Sequence, residues 1–371
     1  MTRIAIIGAG ILGASAAYHL AKSGADVMIA DSAEPGQATG AAAGIICPWL
    51  SQRRNQAWYQ LAKNGAGYYP DLIKALELDG ETNTGYFRSG AVSLNSDEKK
   101  IRKTLERAEK RQPDAPEMGA ISFLSPEQTS ALFPLLKQTY YGVHVSGGAR
   151  ADGRKLRDAL LNGARKHGAT YITGAASLLF EGNKVTGMEV NGEHIPADCT
   201  AVCAGAWGAK LLDPLQASVK VTFQKAQIVH LRTAEKETSE WPVLMPPGTH
   251  YLLAFPGGRV AAGTTHEDTE EYSVFPTAGG ISEILQKAAE TAPELASAEY
   301  VETRVGFRPF TEDFLPVIGG ISGWDGLLFA NGLGSSGLTT GPYIGKQLAS
   351  LALGEDPDLD LSPYQPQTHY V

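Results

Sequence analysis

The chain of 371 residues is poor in cysteine, with only Cys47, Cys199 and Cys203. Three cysteines cannot all pair within one chain, which argues against a disulfide scaffold. Cys199 and Cys203 have a spacing seen in some metal sites, but no His/Cys pair follows at zinc-ligand distance. Buried reduced thiols of a cytosolic protein are the expected state. Positive charge is not in excess either. Against 32 Lys and Arg stand 40 Asp and Glu, a formal net charge of -8. A nucleic-acid surface wants the opposite balance, so no such partner is expected. Long apolar runs are also missing. The opening residues 1–21 are apolar, but Gly8, Gly10 and Gly13 interrupt them, and the stretch ends in a polar helix turn rather than a cleavage site. No other segment reaches the roughly 18 uninterrupted apolar residues of a membrane span. The expectation is a cytoplasmic protein without a transmembrane segment. The sequence also has no internal repeat and no low-complexity segment.

What is present has ordinary globular composition, 43% hydrophobic and 19% charged, and a length comfortable for two cores. Residues 3–7 form a short β-branched run, read as a buried parallel strand. A helix is expected over 13–23, closed by Gly24, and a second strand over 26–30, ending at Asp31. Further helices are expected over 53–80, 97–112, 127–136, 152–166, 283–292 and 341–353. Strands are expected over 86–95, 170–172, 184–190, 199–203, 219–231, 250–264 and 327–330, with a hairpin turn at Asn191-Gly192. A βαβ start, an excursion, a return to α/β pattern, a second excursion and a final strand–loop–helix imply two domains interleaved in sequence. The expected class is α/β. A Rossmann-like domain takes residues 1–86, 142–212 and 305–371. A substrate domain with a mostly antiparallel sheet takes 87–141 and 213–304.

Gly8-Ala9-Gly10-Ile11-Leu12-Gly13 fits the dinucleotide fingerprint G-x-G-x-x-G. It follows a strand, opens a helix, and is answered by Asp31, 18 residues past Gly13 and close to the roughly 20 expected. Gly8 permits the tight turn, Gly10 lets a pyrophosphate approach the backbone, and Gly13 lets helix and strand pack closely. The helix N-terminus offers free N–H groups to the phosphates, and Asp31 is suited to ribose hydroxyls. Ile11, Leu12 and Ser32 are counted with this cradle. The fingerprint does not choose between NAD and FAD. Residues 36–48, GQATGAAAGIICP, are small and apolar and can run close beside a cofactor.

Four stretches together resemble the D-amino acid oxidase family of FAD enzymes, with glycine oxidase and sarcosine oxidase nearest in motif. They are GAGILG with Asp31, TGAAAGIICP, the pair ARADGRKLRDALLNGARKHGA and AVCAGAW, and VGFRPFTEDFLPVIGG…LLFANGLGSSGLTTGP. The resemblance implies FAD as the dinucleotide. It implies that Thr39, Gly40, Ala43 and Gly44 line the pyrophosphate and ribityl chain, and that the backbone near Ala176 touches the adenine. Gly205 would sit against the cofactor with Trp207 below it. The loop of Gly332, Gly334, Ser335, Ser336, Gly337 and Leu338 would lie beside the N1–C2 edge of the flavin, where free backbone N–H groups favour negative charge. Leu333 stands where relatives carry a histidine, so no histidine role carries over. Gly306 stands where sarcosine oxidases attach flavin to cysteine, so the implied FAD is non-covalent.

On the substrate side, the resemblance assigns Arg308 to a substrate carboxylate, which a guanidinium grips with two parallel donors. Tyr251 would meet the same carboxylate through its hydroxyl. His250 and His266 flank these positions, and Ile46, also counted with the cofactor, would form an apolar wall with Trp49. The implied activity is oxidation of a small amine or amino acid (glycine, sarcosine, a D-amino acid or a related secondary amine) by hydride transfer from Cα to flavin N5, giving an imine that hydrolyses. Oxygen, quinone or another protein fits as electron acceptor, and a homo-oligomer is compatible with the sequence. An NAD-dependent dehydrogenase and a non-catalytic flavin subunit of an electron-transfer complex stay open as alternatives.

Overall fold

The run Arg3–Ile7 is buried from its second residue onward, because a strand flanked on both faces has no polar side. In the computed structural model, which describes residues 1–370, it is central to a six-stranded sheet. The spatial order is Val317–Gly320, Leu327–Asn331, Cys199–Val202, Arg3–Ile7, Asp26–Asp31, Thr170–Thr173. Every neighbouring pair is parallel except the first, which is an antiparallel hairpin. The helix Ile11–Lys22 is buried on nearly all sides, as its alanine-rich sequence dictates. It packs between helices Gly153–Lys166 and Gly337–Leu353, and the last of these also carries helix Gln56–Leu78.

The excursions build a second, nine-stranded sheet. Near one edge the long strand Val221–Arg232 pairs antiparallel with Glu299–Thr311 and with Arg259–Gly263. The sheet then runs through Tyr251–Phe255, Val243–Met245, Ala91–Asn95, Tyr141–Val145 and Ile121–Leu124. One junction, Val243–Met245 with Ala91–Asn95, is parallel, and the rest are antiparallel. Residues 142 and 305, expected as domain boundaries, fall inside strands that belong to this sheet along their length. A cluster under the sheet gathers Phe133, Trp241, Leu244, Leu252, Ile284 and Leu295.

Local differences from the expected elements have local causes. The stretch 86–95 divides into Tyr86–Phe87 and Ala91–Asn95, because Gly90 takes φ 78° between them. The stretch 250–264 is two strands folded at Gly257 and Gly258, both at positive φ. The Asn191-Gly192 turn joins Lys184–Val190 to Glu193–Pro196, with φ 54° and 79° at its two residues. The helix expected over 127–136 stops at Leu132, and the helix Ala278–Thr291 begins five residues before 283, with Thr277 accepting from the N–H of Gly280.

Candidate functional site

A cavity of about 1110 Å³ runs from the first glycine turn to the large sheet. At one end Gly8 sits at φ 104°, and a Cβ there would lie 2.6 Å from the carbonyl oxygen of Cys203. At Gly13 a Cβ would lie 1.9 Å from the oxygen of Gly8, so helix and strand meet only because that atom is missing. The helix starts at Ile11, two residues earlier than expected, and Gly10 caps it without a side-chain bond. The Ile11 N–H donates to Thr39 Oγ1 at 2.9 Å. The Asp31 carboxylate is buried and accepts from the N–H of Ala9 at 2.6 Å, the N–H of Ala33 at 2.7 Å and Gln37 Nε2 at 2.7 Å. These bonds fix the turn and hold the carboxylate at the cavity wall.

The middle of the cavity is walled by two further turns. Residues 332–336 lead into helix Gly337–Leu353, whose N-terminus opens on the cavity through Ser336, Gly337 and Leu338. The first N–H groups of a helix have no intrahelical acceptor and carry partial positive charge. Asn331 ties this turn to the one after Cys199–Val202. Its Nδ2 donates to the oxygen of Gly205 at 2.8 Å, and its Oδ1 accepts from the N–H of Gly332 at 2.8 Å. Trp207 lines the cavity and stacks on Tyr272 with ring centres 5.4 Å apart.

At the far end stand Arg308 and Tyr251. Arg308 projects from Glu299–Thr311 opposite Gln224, and Tyr251 begins Tyr251–Phe255 opposite Gly263. Among the described residues no carboxylate forms an ion pair with Arg308. The nearby Asp313 is instead occupied by Thr311 and the N–H of Leu315. Burial lowers the Arg308 pKa, against the attraction of Tyr251. Burial pushes the Tyr251 hydroxyl up to about 12, although Arg308 and Thr264 pull the other way. His250 and His266 also line this end, and burial holds both below the usual histidine range.

Of the residues singled out in the sequence, Gly8, Gly10, Ile11, Leu12, Asp31, Ser32, Thr39, Ala43, Gly44, Ala176, Gly205, Trp207, Gly334, Ser335, Ser336, Gly337, Leu338, Tyr251 and Arg308 line this one cavity. Five do not face it. Gly13 is consumed by the helix–strand contact. Gly40 turns its carbonyl outward to Arg154 Nε at 3.0 Å. Ile46 alternates inward from Ile45, which takes the cavity side, and is 1% exposed. Trp49 is buried with its Nε1 donating to Glu117 Oε1 at 3.3 Å. Gly332 serves the turn, at φ 75° beside Thr311. The sequence reading missed Arg53, Trp58, Thr249 and Thr264, which also line the cavity. The only signal for the first was the basic pair Arg53-Arg54 directly after the small-residue segment.

A strand, a glycine turn, a helix N-terminus and an acidic residue at the end of the next strand define a dinucleotide-binding protein. The chain matches the model of the FAD dependent oxidoreductase (DAO) family over residues 3–351 and belongs to that family. It is 57% identical to the uncharacterized oxidoreductase YurR of Bacillus subtilis, over 97% of each chain. It is 29% identical to glycine oxidase of Pseudomonas aeruginosa, over 98% of each. The crystal structure of iminodiacetate oxidase from Chelativorans sp. BNC1 superposes with a TM-score of 0.95 at 43% identity, covering 98% of this chain and 99% of that one. The cofactor is therefore FAD, which displaces the NAD alternative. The cradle fits it: Asp31 and the glycine turn stand at one end of a continuous cavity, with a helix N-terminus midway along it.

Proposed function

We propose that this FAD-dependent oxidoreductase oxidises a small α-amino acid or N-substituted glycine at its Cα. The observation that carries the reading is Arg308, a largely buried guanidinium without an acidic partner, facing the same cavity as the dinucleotide turn and accompanied by the Tyr251 hydroxyl. A buried cation without a counter-ion is costly, and a carboxylate ligand relieves that cost with two charge-assisted hydrogen bonds. Tyr251 stays protonated and donates a further bond. Together they fix the carboxylate, and with it the direction of the Cα–H bond; orientation of this kind is the protein's main contribution in cofactor enzymes.

FAD, when bound, supplies the acceptor for the hydride that leaves Cα. The amine nitrogen must reach the site neutral, and no acid lines this end to hold it protonated, since the acidic residues of the cavity wall are Asp31 and Glu34 at the other end. The N-terminus of Gly337–Leu353 favours negative charge arriving beside Ser336 and Gly337. FAD is read as dissociable: Gly306 carries no side chain, and burial raises the Cys47 thiol to about 12 and the Cys203 thiol further, which leaves both weak nucleophiles. Oxygen as acceptor is supported by the oxidase names of the glycine and iminodiacetate relatives.

The test is anaerobic mixing of the yellow protein with glycine, sarcosine, iminodiacetate, D-amino acids and prolines, followed by admission of air. Bleaching of the flavin by an amino acid and recovery in air are expected. Arg308→Ala should lower kcat/KM for the best carboxylate substrate by about a hundredfold or more, as loss of a charge-assisted pair requires, while the visible FAD spectrum persists. No bleaching by any member of the panel would refute the reading.

A further inference from the structure

The cavity mouth carries a second arginine. Residues 51–55 form a loop ahead of helix Gln56–Leu78, which begins at Gln56 because Asn55 caps it, accepting from the Trp58 N–H at 3.0 Å. The loop hangs Arg53 over the same cavity that Arg308 and Tyr251 line. Two contacts hold its guanidinium there. Its Nη2 donates to Ser335 Oγ at 3.3 Å, and its Cζ lies 4.7 Å from the centre of the Trp58 ring. Trp58 is itself fixed, with its Nε1 donating to Ser336 Oγ at 3.0 Å. Neither contact is an anion. Among the described residues Arg53 forms no ion pair, and no carboxylate lines this half of the cavity.

Arg53 is exposed at the cavity mouth, where solvent screens part of its charge, and it still feels Arg308. Partial burial and then the charge of Arg308 lower the pKa of Arg53. Two like charges facing one cavity repel, and one carboxylate pairs with only one of them. A single-carboxylate substrate on Arg308 would leave the second guanidinium held by a serine and a ring alone. We propose that Arg53 is a specificity-determining residue that binds a second carboxylate, and that the preferred substrates are small amines carrying two carboxylates. The inference rests on the reading that Arg308 holds the first. Each guanidinium then takes one carboxylate, the amine lies between them, and the Trp58 face keeps the Arg53 fork in place. Stacking on an aromatic face pre-organises a guanidinium for such a contact.

The experiment compares matched pairs in the holoenzyme. Iminodiacetate and D-aspartate carry two carboxylates, and sarcosine and D-alanine carry one. The wild-type kcat/KM should favour a two-carboxylate member over its partner by tenfold or more. In Arg53→Gln that ratio should collapse toward one, mainly through KM, and Arg53→Lys should restore part of it. Oxydiacetate replaces the amine by an ether oxygen and cannot be oxidised, so it reads binding alone. Titrated against the flavin spectrum, it should bind tenfold or more tighter than methoxyacetate, and Arg53→Gln should remove the difference. Iminodiacetate oxidised in preference, without D-aspartate, would support the proposal and place the second carboxylate on nitrogen. Sarcosine or glycine oxidised as well as every two-carboxylate amine would overturn it and leave amino-acid oxidation standing. Equal losses on both members of each pair in Arg53→Gln would overturn it too. No bleaching by any of the amines would overturn both readings together.

Discussion

At the scale of the residue, the proposed site depends on where the Tyr251 proton stays. Tyr251 has its pKa raised to about 12 because burial disfavours the phenolate more than Arg308 and Thr264 favour it. The donor form therefore persists at every pH below that value, well past the ordinary tyrosine value of about 10. Substrate KM should show no rise near pH 10 from this group. Tyr251→Phe should raise KM for a carboxylate substrate by about tenfold, the worth of one hydrogen bond to a charged group. Steady-state kinetics from pH 7 to about 10.5 would check both, and a wild-type KM that climbed near 10 and flattened in the Phe variant would remove the assigned proton state. The glycine turn was legible through its own fingerprint, and Arg308 and Tyr251 only through the resemblance to the family. Arg53 was not, since a basic pair at the expected start of a helix reads as solvated surface.

At the scale of the element, the C-terminal helix shows why a boundary matters. The expected helix spans 341–353, and Gly337 with the pair Thr339-Thr340 ahead of it are weak helix formers. The helix begins at Gly337 instead. Pro342 has no N–H for the carbonyl of Leu338, and the buried hydroxyl of Tyr69 donates to that carbonyl in its place. The Pro342 carbonyl in turn accepts from Ser15 Oγ at 2.7 Å. Tertiary contacts thus make good a break that local propensity predicts, and the helix N-terminus moves to the cavity. The same helix crosses Ile11–Lys22 at Gly345, where a Cβ would stand 2.6 Å from the Ser15 Cβ and 2.7 Å from the Leu12 oxygen. Gly345→Val should destabilise the fold by about 3 kcal/mol or more, from overpacking against backbone that cannot yield. Chemical unfolding of the holoenzyme would measure it. A loss below about 0.5 kcal/mol would mean that the helices separate without cost.

At the scale of the whole molecule, two sheets meet around one cavity that residues of both line. His230 lies in the strand Val221–Arg232, with Glu302 and Ala261 opposite. It is 4% exposed, and its pKa is lowered to about 4 by burial, then by Arg304 and Arg259, with Glu302 opposing. The unfolded chain binds this proton at about 6.5. Between those values the unfolded state holds more protons, so stability is fully present above about 6.5 and falls as pH drops toward 4. The loss from this group amounts to roughly 3 kcal/mol. The melting temperature should fall over that window, and His230→Gln should flatten the fall. An identical slope in the variant would assign the acid loss elsewhere. No helix among the described residues is long and apolar enough to cross a membrane.

By itself the sequence determined the dinucleotide turn and the alternation of the two folding patterns, because each follows from short-range rules, while Arg308 and Tyr251 stood out only through the resemblance to the family. A glycine is needed where backbone meets backbone, and a strand repeats every second residue. Only the tertiary structure decided that Ile45 rather than Ile46 faces the cavity, that Trp49 belongs to the core, and that Arg53 faces the same space as Arg308. Those outcomes depend on which elements pack together across more than 250 residues of chain, as in the contact of Arg53 with Ser335, and on buried groups finding their partners at that distance.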